Sequence, residues 1–564
     1  MTKRLLVLLL AVASVLMLPA APAQAHAVLL ETAPPAATVL EKAPEAVTLR
    51  FNEPVSAALG GVRVLDADGE RVEAGRVSRS PDGTTLRVPL ENVDDGPYVV
   101  AWRVISADSH PLRGAFVFRV GAAGAGDDRD LVSRLLASEK GSPFVGGLFT
   151  GVRFAAFGAL ALLVGGAAFV GLVWPAGAAS RRVRRLLVGA WAVALAATLA
   201  GLVLQGPYAA GLPLADGLKP SVLADVLSTR FGQVWAARVA LLLAAVPLLR
   251  ALHRFEHGLP RWWAGAGIVL GGALLLTPGL AGHAATGSMV ALALAADMVH
   301  LAAVSIWLGG LVVLVTAVLP GRQPELVRTT VPRFSSVAFA AVVTIVVTGV
   351  FQSWRQVREL DALTSTTYGR LLLAKVITFA VLIGLATFSR RVVQARLGVS
   401  RLATPLPAGP GAMRAEAEDE ATTRLRRSVG AEVVLATVVV AVTAVLVNAV
   451  PAKDALARPF STTVEGKDVS IDLTVDPARR GANAVHLYTF EPTGAILDAP
   501  ELEASLTEPE RDVGPIRIRL DKVAPGHWVA PGVEIPLPGT WRIDLVTRLS
   551  EFDEVRSSAT FPVR

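Results

Sequence analysis

The sequence predicts a mixed multidomain protein: a polytopic α-helical membrane bundle of about eight spans, flanked by two extracytoplasmic β-sandwich domains. Three observations lead there. The chain of 564 residues is 52% hydrophobic and only 18% charged, with mean hydropathy +0.52, far more apolar than a soluble protein of that size. Its apolar runs fall into eight pieces, each long enough to cross a bilayer. Before and after them lie short stretches of alternating apolar and polar residues, cut by Pro, Gly and Asp, which is the pattern of half-buried strands. The chain has 54 basic and 47 acidic residues, a net charge of +7, but the cations gather in loops beside apolar spans, so a nucleic-acid partner is excluded. The absence of cysteine excludes disulfides, thiolate metal sites, iron–sulfur clusters and cysteine nucleophiles. Soft-metal chemistry falls to His, Met and carboxylates.

Residues 1–25 read as a signal peptide: Lys3 and Arg4, the apolar run from Leu5 to Leu18, then Ala23-Gln24-Ala25 as the small-x-small cleavage pattern. Cleavage there makes His26 the first residue of the mature chain. Its free amine and ring Nδ1 form a chelating pair already joined in one residue.

Residues 26–120 form the first sandwich, with strands at Val47–Phe51, Gly61–Leu65, Thr85–Val88 and Ala115–Val120. Between a strand ending near Ile105 and one starting near Gly114 lies Ser106-Ala107-Asp108-Ser109-His110-Pro111. Asp108 and His110 are two apart, so in an extended segment they face the same side. An amine, two imidazoles and a carboxylate are a nitrogen–oxygen set that suits tetragonal Cu(II) better than Cu(I). The runs His26-Ala27-Val28-Leu29-Leu30-Glu31-Thr32-Ala33-Pro34, Leu49-Arg50-Phe51-Asn52-Glu53-Pro54 and Trp102 to Pro111 resemble the CopC copper-resistance family. That resemblance implies a Cu(II) site built from His26, Asp108 and His110. A methionine-rich Cu(I) site, which some members carry, is not expected, because the mature sandwich has no methionine.

A linker at 121–146 leads to the membrane domain at 147–450. The expected spans are 147–174, 186–206, 234–252, 263–281, 290–319, 335–354, 371–389 and 428–450. With the first sandwich outside, the inner loops carry eighteen arginines, while the outer loops carry only Lys219, Arg230, Arg355, Arg358 and Arg370. Eight spans obey the positive-inside rule at every loop; seven or nine would break it. Thr229-Arg230-Phe231-Gly232-Gln233 followed by Arg238 parallels Thr366-Thr367-Tyr368-Gly369-Arg370 followed by Lys375, four spans apart, which suggests a parallel duplication.

The fifth span carries the candidate path. Asp297 and His300 are three apart and share a helix face. With a start near Val290, His300 lies ~15 Å in, near the midplane. His283 precedes the span, and Met289 and Met298 are two of the three methionines left after cleavage. The series His283, Met289, Asp297, Met298, His300 is what copper moving inward would use. Asp297 and His300 as a structural pair with Arg153, Arg238 or Lys375 is the competing reading. Val331-Pro332-Arg333-Phe334-Ser335, Thr348-Gly349, Tyr368 to Lys375, and His300 with Trp307-Leu308-Gly309-Gly310 resemble the CopD copper-resistance family. The resemblance implies copper handling at the plasma membrane. Glu432, and His253 with His257, read as interfacial groups.

Residues 451–564 form the second sandwich, with strands at Val469–Val475, Ala484–Tyr488, Ile516–Leu520 and Thr540–Leu545. His486 and His527 are isolated in sequence and no metal site is expected there. The reading is a copper-binding importer in the plasma membrane, not an enzyme, whose partners are copper ions and the bilayer. Two alternatives stay open: a membrane copper chaperone that loads a cuproenzyme, or receives copper from another chaperone, without transport; and haem ligation by His283 and His300, which their unequal depths disfavour. No nucleotide-binding or phosphorylated-Asp motif is present, so ATP-driven pumping is not expected.

Overall fold

The structure is a computed structural model that describes residues 27, 29–35, 38–51, 53–106, 111–121, 142–255, 260–286, 289–321, 323–357, 359–396, 411–455, 459–491 and 496–563. The leader at 1–25, most of the expected linker and His257 lie outside the described residues. The chain divides into two compact units, one made of the helices between about residues 141 and 452 and one of the β regions on either side.

The amino-terminal β region has eight strands: β1 (Leu29–Ala33), β2 (Val39–Leu40), β3 (Ala46–Phe51), β4 (Ser56–Leu65), β5 (Ser78–Arg79), β6 (Thr85–Pro89), β7 (Gly96–Ile105) and β8 (Pro111–Val120). They form two four-stranded sheets, in the orders β1-β3-β6-β5 and β2-β8-β7-β4. The alternation seen in the sequence decides which faces meet: Val47, Leu49 and Phe51 of β3 turn inward with Leu86 and Val88 of β6, onto Val64, Val100 and Phe118 of the other sheet. Trp102 closes this core edge-on to Phe51, ring centres 5.5 Å apart. Opposite Trp102 in the ladder stands Gly114, where a Cβ would lie 2.4 Å from the indole.

The helical unit contains α1 (Pro143–Leu172), α2 (Arg181–Ala210), α3 (Pro220–Ser228), α4 (Arg230–Ala251), α5 (Arg261–Leu280), α6 (Val290–Val313), α7 (Pro324–Val357), α8 (Ala362–Ser365), α9 (Thr367–Arg396) and α10 (Gly411–Leu446). Among the described residues eight helices are long and apolar enough to cross a membrane, as the sequence predicts: all but α3 and α8. Those two short helices fall where the sequence reads as loop. Each ends at a threonine that starts the next span, and the geometry is the same both times. The Gly232 amide donates to Thr229 Oγ1 (3.2 Å) and the Gly369 amide to Thr366 Oγ1 (3.0 Å). In both places the glycine lies against a carbonyl of the preceding short helix, Val226 or Ala362, where a Cβ would not fit.

Spans α1 and α6 cross at glycines. A Cβ on Gly165 would meet the Ser305 carbonyl at 1.7 Å, and one on Gly309 would meet Gly165 Cα at 2.7 Å. Without a hydrophobic drive between helices in lipid, such close approach is what holds spans together. The carboxy-terminal end of α7 runs further than the sequence suggests, to Val357, and Arg355 is buried in its last turn, 3% exposed, instead of standing in a loop.

The carboxy-terminal β region contains β9 (Phe460–Glu465), β10 (Ser470–Asp476), β11 (Gly481–Phe490), β12 (Glu501–Glu508), β13 (Val513–Ile518), β14 (Asp521–Ala524), β15 (His527–Ile535), β16 (Gly539–Arg548) and β17 (Glu554–Val563). The sheets run β14-β15-β11-β10-β9 and β13-β12-β16-β17, with Ile471, Leu473, Leu487, Leu506, Trp541 and Ile543 buried in the core. His486 and His527, 41 residues apart, are not isolated: the pairing of β11 with β15 places their rings in contact.

Candidate metal centre

His300 sits in the third turn of α6 and is 7% exposed. Its Nδ1 lies 2.8 Å from Thr348 Oγ1 on α7. The Thr348 hydroxyl donates its own proton to the Thr344 carbonyl at 2.6 Å, the back-bond typical of a helical threonine. Oγ1 is therefore an acceptor for His300 Nδ1–H, and the backbone of Ile345, on the same helix as Thr348, also hydrogen-bonds the ring. A hydrogen bond of this kind favours one tautomer of the imidazole.

Asp297, one turn earlier on the same face, is half-buried, and its Oδ2 rests against α5 at Gly279, where a Cβ would lie 2.7 Å away. Lys375 and Arg355 both lie within electrostatic reach of the Asp297 carboxylate, and Lys375 also acts on His300. The position of Lys375 follows from the packing of α9 on α6. Trp307 and Phe379 meet edge-on with ring centres 5.7 Å apart, which sets the level of the two helices. Lys375 is one turn before Phe379, and helical side chains lean toward the N-terminus, so its ammonium is carried up toward His300 and Asp297.

Arg355 also ties this cluster to the segment before the span. Its Nη1 donates to the His283 carbonyl at 3.0 Å and its Nη2 to the Thr286 carbonyl. Arg230 reaches the same turn, 3.5 Å from the Ala285 carbonyl. Met289 is the N-cap of α6, with φ at 53°. Met298 is half-buried, but at 100° per residue it points well away from the face shared by Asp297 and His300. The structure thus gathers Asp297 and His300, links His283 to them through Arg355, and leaves Met298 off that face.

Arg153 and Arg238 belong elsewhere. Arg153 donates to Asn448 Oδ1 and covers the Phe149 ring at 4.7 Å; Arg238 donates from Nε to Thr277 Oγ1 at 2.7 Å and covers Trp235 at 4.5 Å. The cations beside Asp297 are Lys375 and Arg355. Sequence reasoning placed Arg355 in a loop and gave Thr348 no role. A signal for both exists, since each lies a whole number of turns along one span, but only the packing shows which face that is. The other residues singled out at the sandwich, His26, Asp108 and His110, lie outside the described residues; Ile105 and Pro111, which pair in the ladder, bracket the latter two in sequence. Among the described residues no three His, Asp or Glu side chains converge.

Three family models match successive parts of the chain: the CopC domain at residues 29–121, the copper resistance protein D-like N-terminal domain at 145–291, and copper resistance protein D at 328–446. The chain belongs to the CopC/CopD copper-resistance family. Copper transport protein CutJ of Bacillus subtilis (strain 168) is 29% identical over 390 residues, covering 67% of this chain and 70% of CutJ. Copper resistance protein D of Pseudomonas syringae pv. tomato is 28% identical over 255 residues, 43% of this chain and 81% of that protein. Protein YobA of Escherichia coli (strain K12) is 33% identical over 98 residues, 17% of this chain and 79% of YobA. With CopC and CopD domains and eight membrane-length helices among the described residues, the chain is a multi-pass membrane protein of a copper resistance and transport family. Asp297 and His300 fall between the two CopD matches, while Thr348, Arg355 and Lys375 lie within the second.

Proposed function

We propose that this CopC/CopD protein imports copper across the plasma membrane. In this reading both β regions face outside, and the CopC region captures Cu(II) with His26, Asp108 and His110. Copper then passes inward by way of His283, Met289, Asp297, Met298 and His300. The observation that carries the reading is the buried imidazole within a span, held through Nδ1 by Thr348 and one turn from a carboxylate. A buried His and a half-buried Asp in a span are functional groups by default, because their desolvation needs a compensating role.

Two donors one turn apart on a helix face hold a metal ion less firmly than a full chelate, and that suits a point of passage, where an ion must enter and leave. Lys375 and Arg355 balance the Asp297 charge while no copper is present, and an arriving cation competes with them for the carboxylate. Cu(II) outside and Cu(I) within require one electron, which an external reductant supplies; passage as Cu(II) requires none. The chain is read as a carrier, not an enzyme.

The test is copper accumulation, measured by mass spectrometry in cells expressing the intact protein or His300→Ala. Import predicts accumulation above the vector control, reduced to that control by His300→Ala. Accumulation equal to the vector control for the intact protein, with a membrane cuproenzyme losing its copper when the gene is deleted, would replace import with delivery by a chaperone.

A further inference from the structure

The carboxy-terminal sandwich holds a donor pair that the transport reading does not use. Tyr488 of β11 stands opposite His527 of β15, and His486 opposite Val529, so His486 and His527 are diagonal neighbours on one face of the sheet. His486 Nδ1 and His527 Nε2 are 3.4 Å apart, and the two ring centres 5.7 Å apart. The second distance is the first plus one ring radius at each end. The two nitrogens therefore lie on the line joining the ring centres and point at each other, with the ring planes only 24° apart. Tyr488 stacks on His527 with centres 4.1 Å apart and holds its plane.

We propose that His486 and His527 bind a Cu(I) ion between their facing nitrogens. Two neutral imidazoles that face each other share either a proton or a metal ion. Burial keeps His486 below the ordinary histidine value, and burial together with the neighbouring His486 holds His527 down to about 4, so both rings are neutral at pH 7. The number of donors selects the ion. Zinc asks for four ligands and Cu(II) for a tetragonal set, whereas no third His, Asp or Glu converges here among the described residues. Cu(I), with a filled d shell, accepts two ligands in line. With metal–nitrogen bonds of about 2.0 Å, the rings part by roughly 0.6 Å to admit it, a small side-chain rotation. Binding leaves the His527 proton on Nδ1, a buried nitrogen without a hydrogen-bond partner. That penalty keeps the site weak enough to give copper up, as a hand-over site must.

The test titrates the full-length protein in detergent, anaerobically, with Cu(I) against a chromophoric Cu(I) chelator. The parent is compared with His486→Gln, His527→Gln and the double variant. Each single variant is expected to lose one copper equivalent and the double variant no more than that one. X-ray absorption of the parent minus the variant should show the pre-edge feature of two-coordinate Cu(I). His486 is half-buried, so His486→Gln tests the site even where His527→Gln fails to fold, and thermal unfolding of each variant identifies that case. An unchanged copper count in His486→Gln overturns the proposal. So does Zn(II) binding to the parent as tightly as Cu(I) and vanishing in the same variants. The readout is metal bound to purified protein, so it is independent of whether the bundle imports copper.

Discussion

At the scale of single residues, Thr348 decides what His300 can offer. A threonine in a helix has one hydroxyl proton, and here it goes to the Thr344 carbonyl, which turns Oγ1 into an acceptor for the imidazole. Thr348→Val keeps the shape and removes that acceptor, so the His300 ring loses one of the hydrogen bonds that hold it and keeps only the backbone of Ile345. Loss of such an outer hydrogen bond weakens metal sites by about 10-fold or more. The expected result is a rise of that order in the external copper concentration giving half-maximal accumulation, with the amount of protein in the membrane unchanged. A saturation curve that overlays the parent's would remove Thr348 from the mechanism.

Among the elements, the crossing of α1 and α6 fixes the bundle around this site. The backbone of Gly165 touches that of Ser305 and Gly309, so any side chain there must push two spans apart. Overpacking of a closed interior costs about 1–3 kcal/mol where side chains yield, and backbone yields less readily than side chains. Gly165→Val should therefore lower the melting temperature in detergent and shift the protein toward aggregates on size exclusion. Gly151→Ala in the same helix, where a Cβ meets nothing within 4 Å, should behave as the parent does. Equal stability of the two variants would mean that the crossing does not hold the bundle. The recurrence of a short helix, a capping threonine and a packed glycine before both α4 and α9 supports the duplication suggested by the sequence, in backbone geometry as well as residue type.

For the whole molecule, the distribution of charge among the loops predicts which side each one faces. The arginine-rich loops predict that Arg185 is inside and Lys219 outside. The chain has no cysteine, so a single introduced thiol is a clean probe. Lys219→Cys, at an exposed position, should react with a membrane-impermeant maleimide on intact cells, and Arg185→Cys, also exposed, only after the membrane is opened. The reverse pattern would place both β regions in the cytoplasm and turn the proposed direction of transport around.

The eight spans and the two β regions were legible in the sequence, because they rest on period and composition: a run of about twenty apolar residues has few alternatives in a bilayer, and alternation in short runs has few alternatives at a sheet face. The resemblance to CopC and CopD was legible separately, in short motifs of particular residues. Asp297 and His300 were legible as a pair for the same reason, since i and i+3 share a helix face whatever the neighbours are. The partners on other helices were not. Lys375 was one of three candidate cations with Arg153 and Arg238, and only the structure chose it; Thr348 and Arg355 were not foreseen as partners, because they come from a span whose rotation about its axis is set by packing, and nearly uniform apolar spans carry little record of that rotation. His486 and His527 show the same limit in a sheet: 41 residues separate them, and only the register of β11 against β15 brings their nitrogens to 3.4 Å. Local periodicity determines which elements form, while contacts between distant elements depend on register and rotation, which the tertiary structure alone decides.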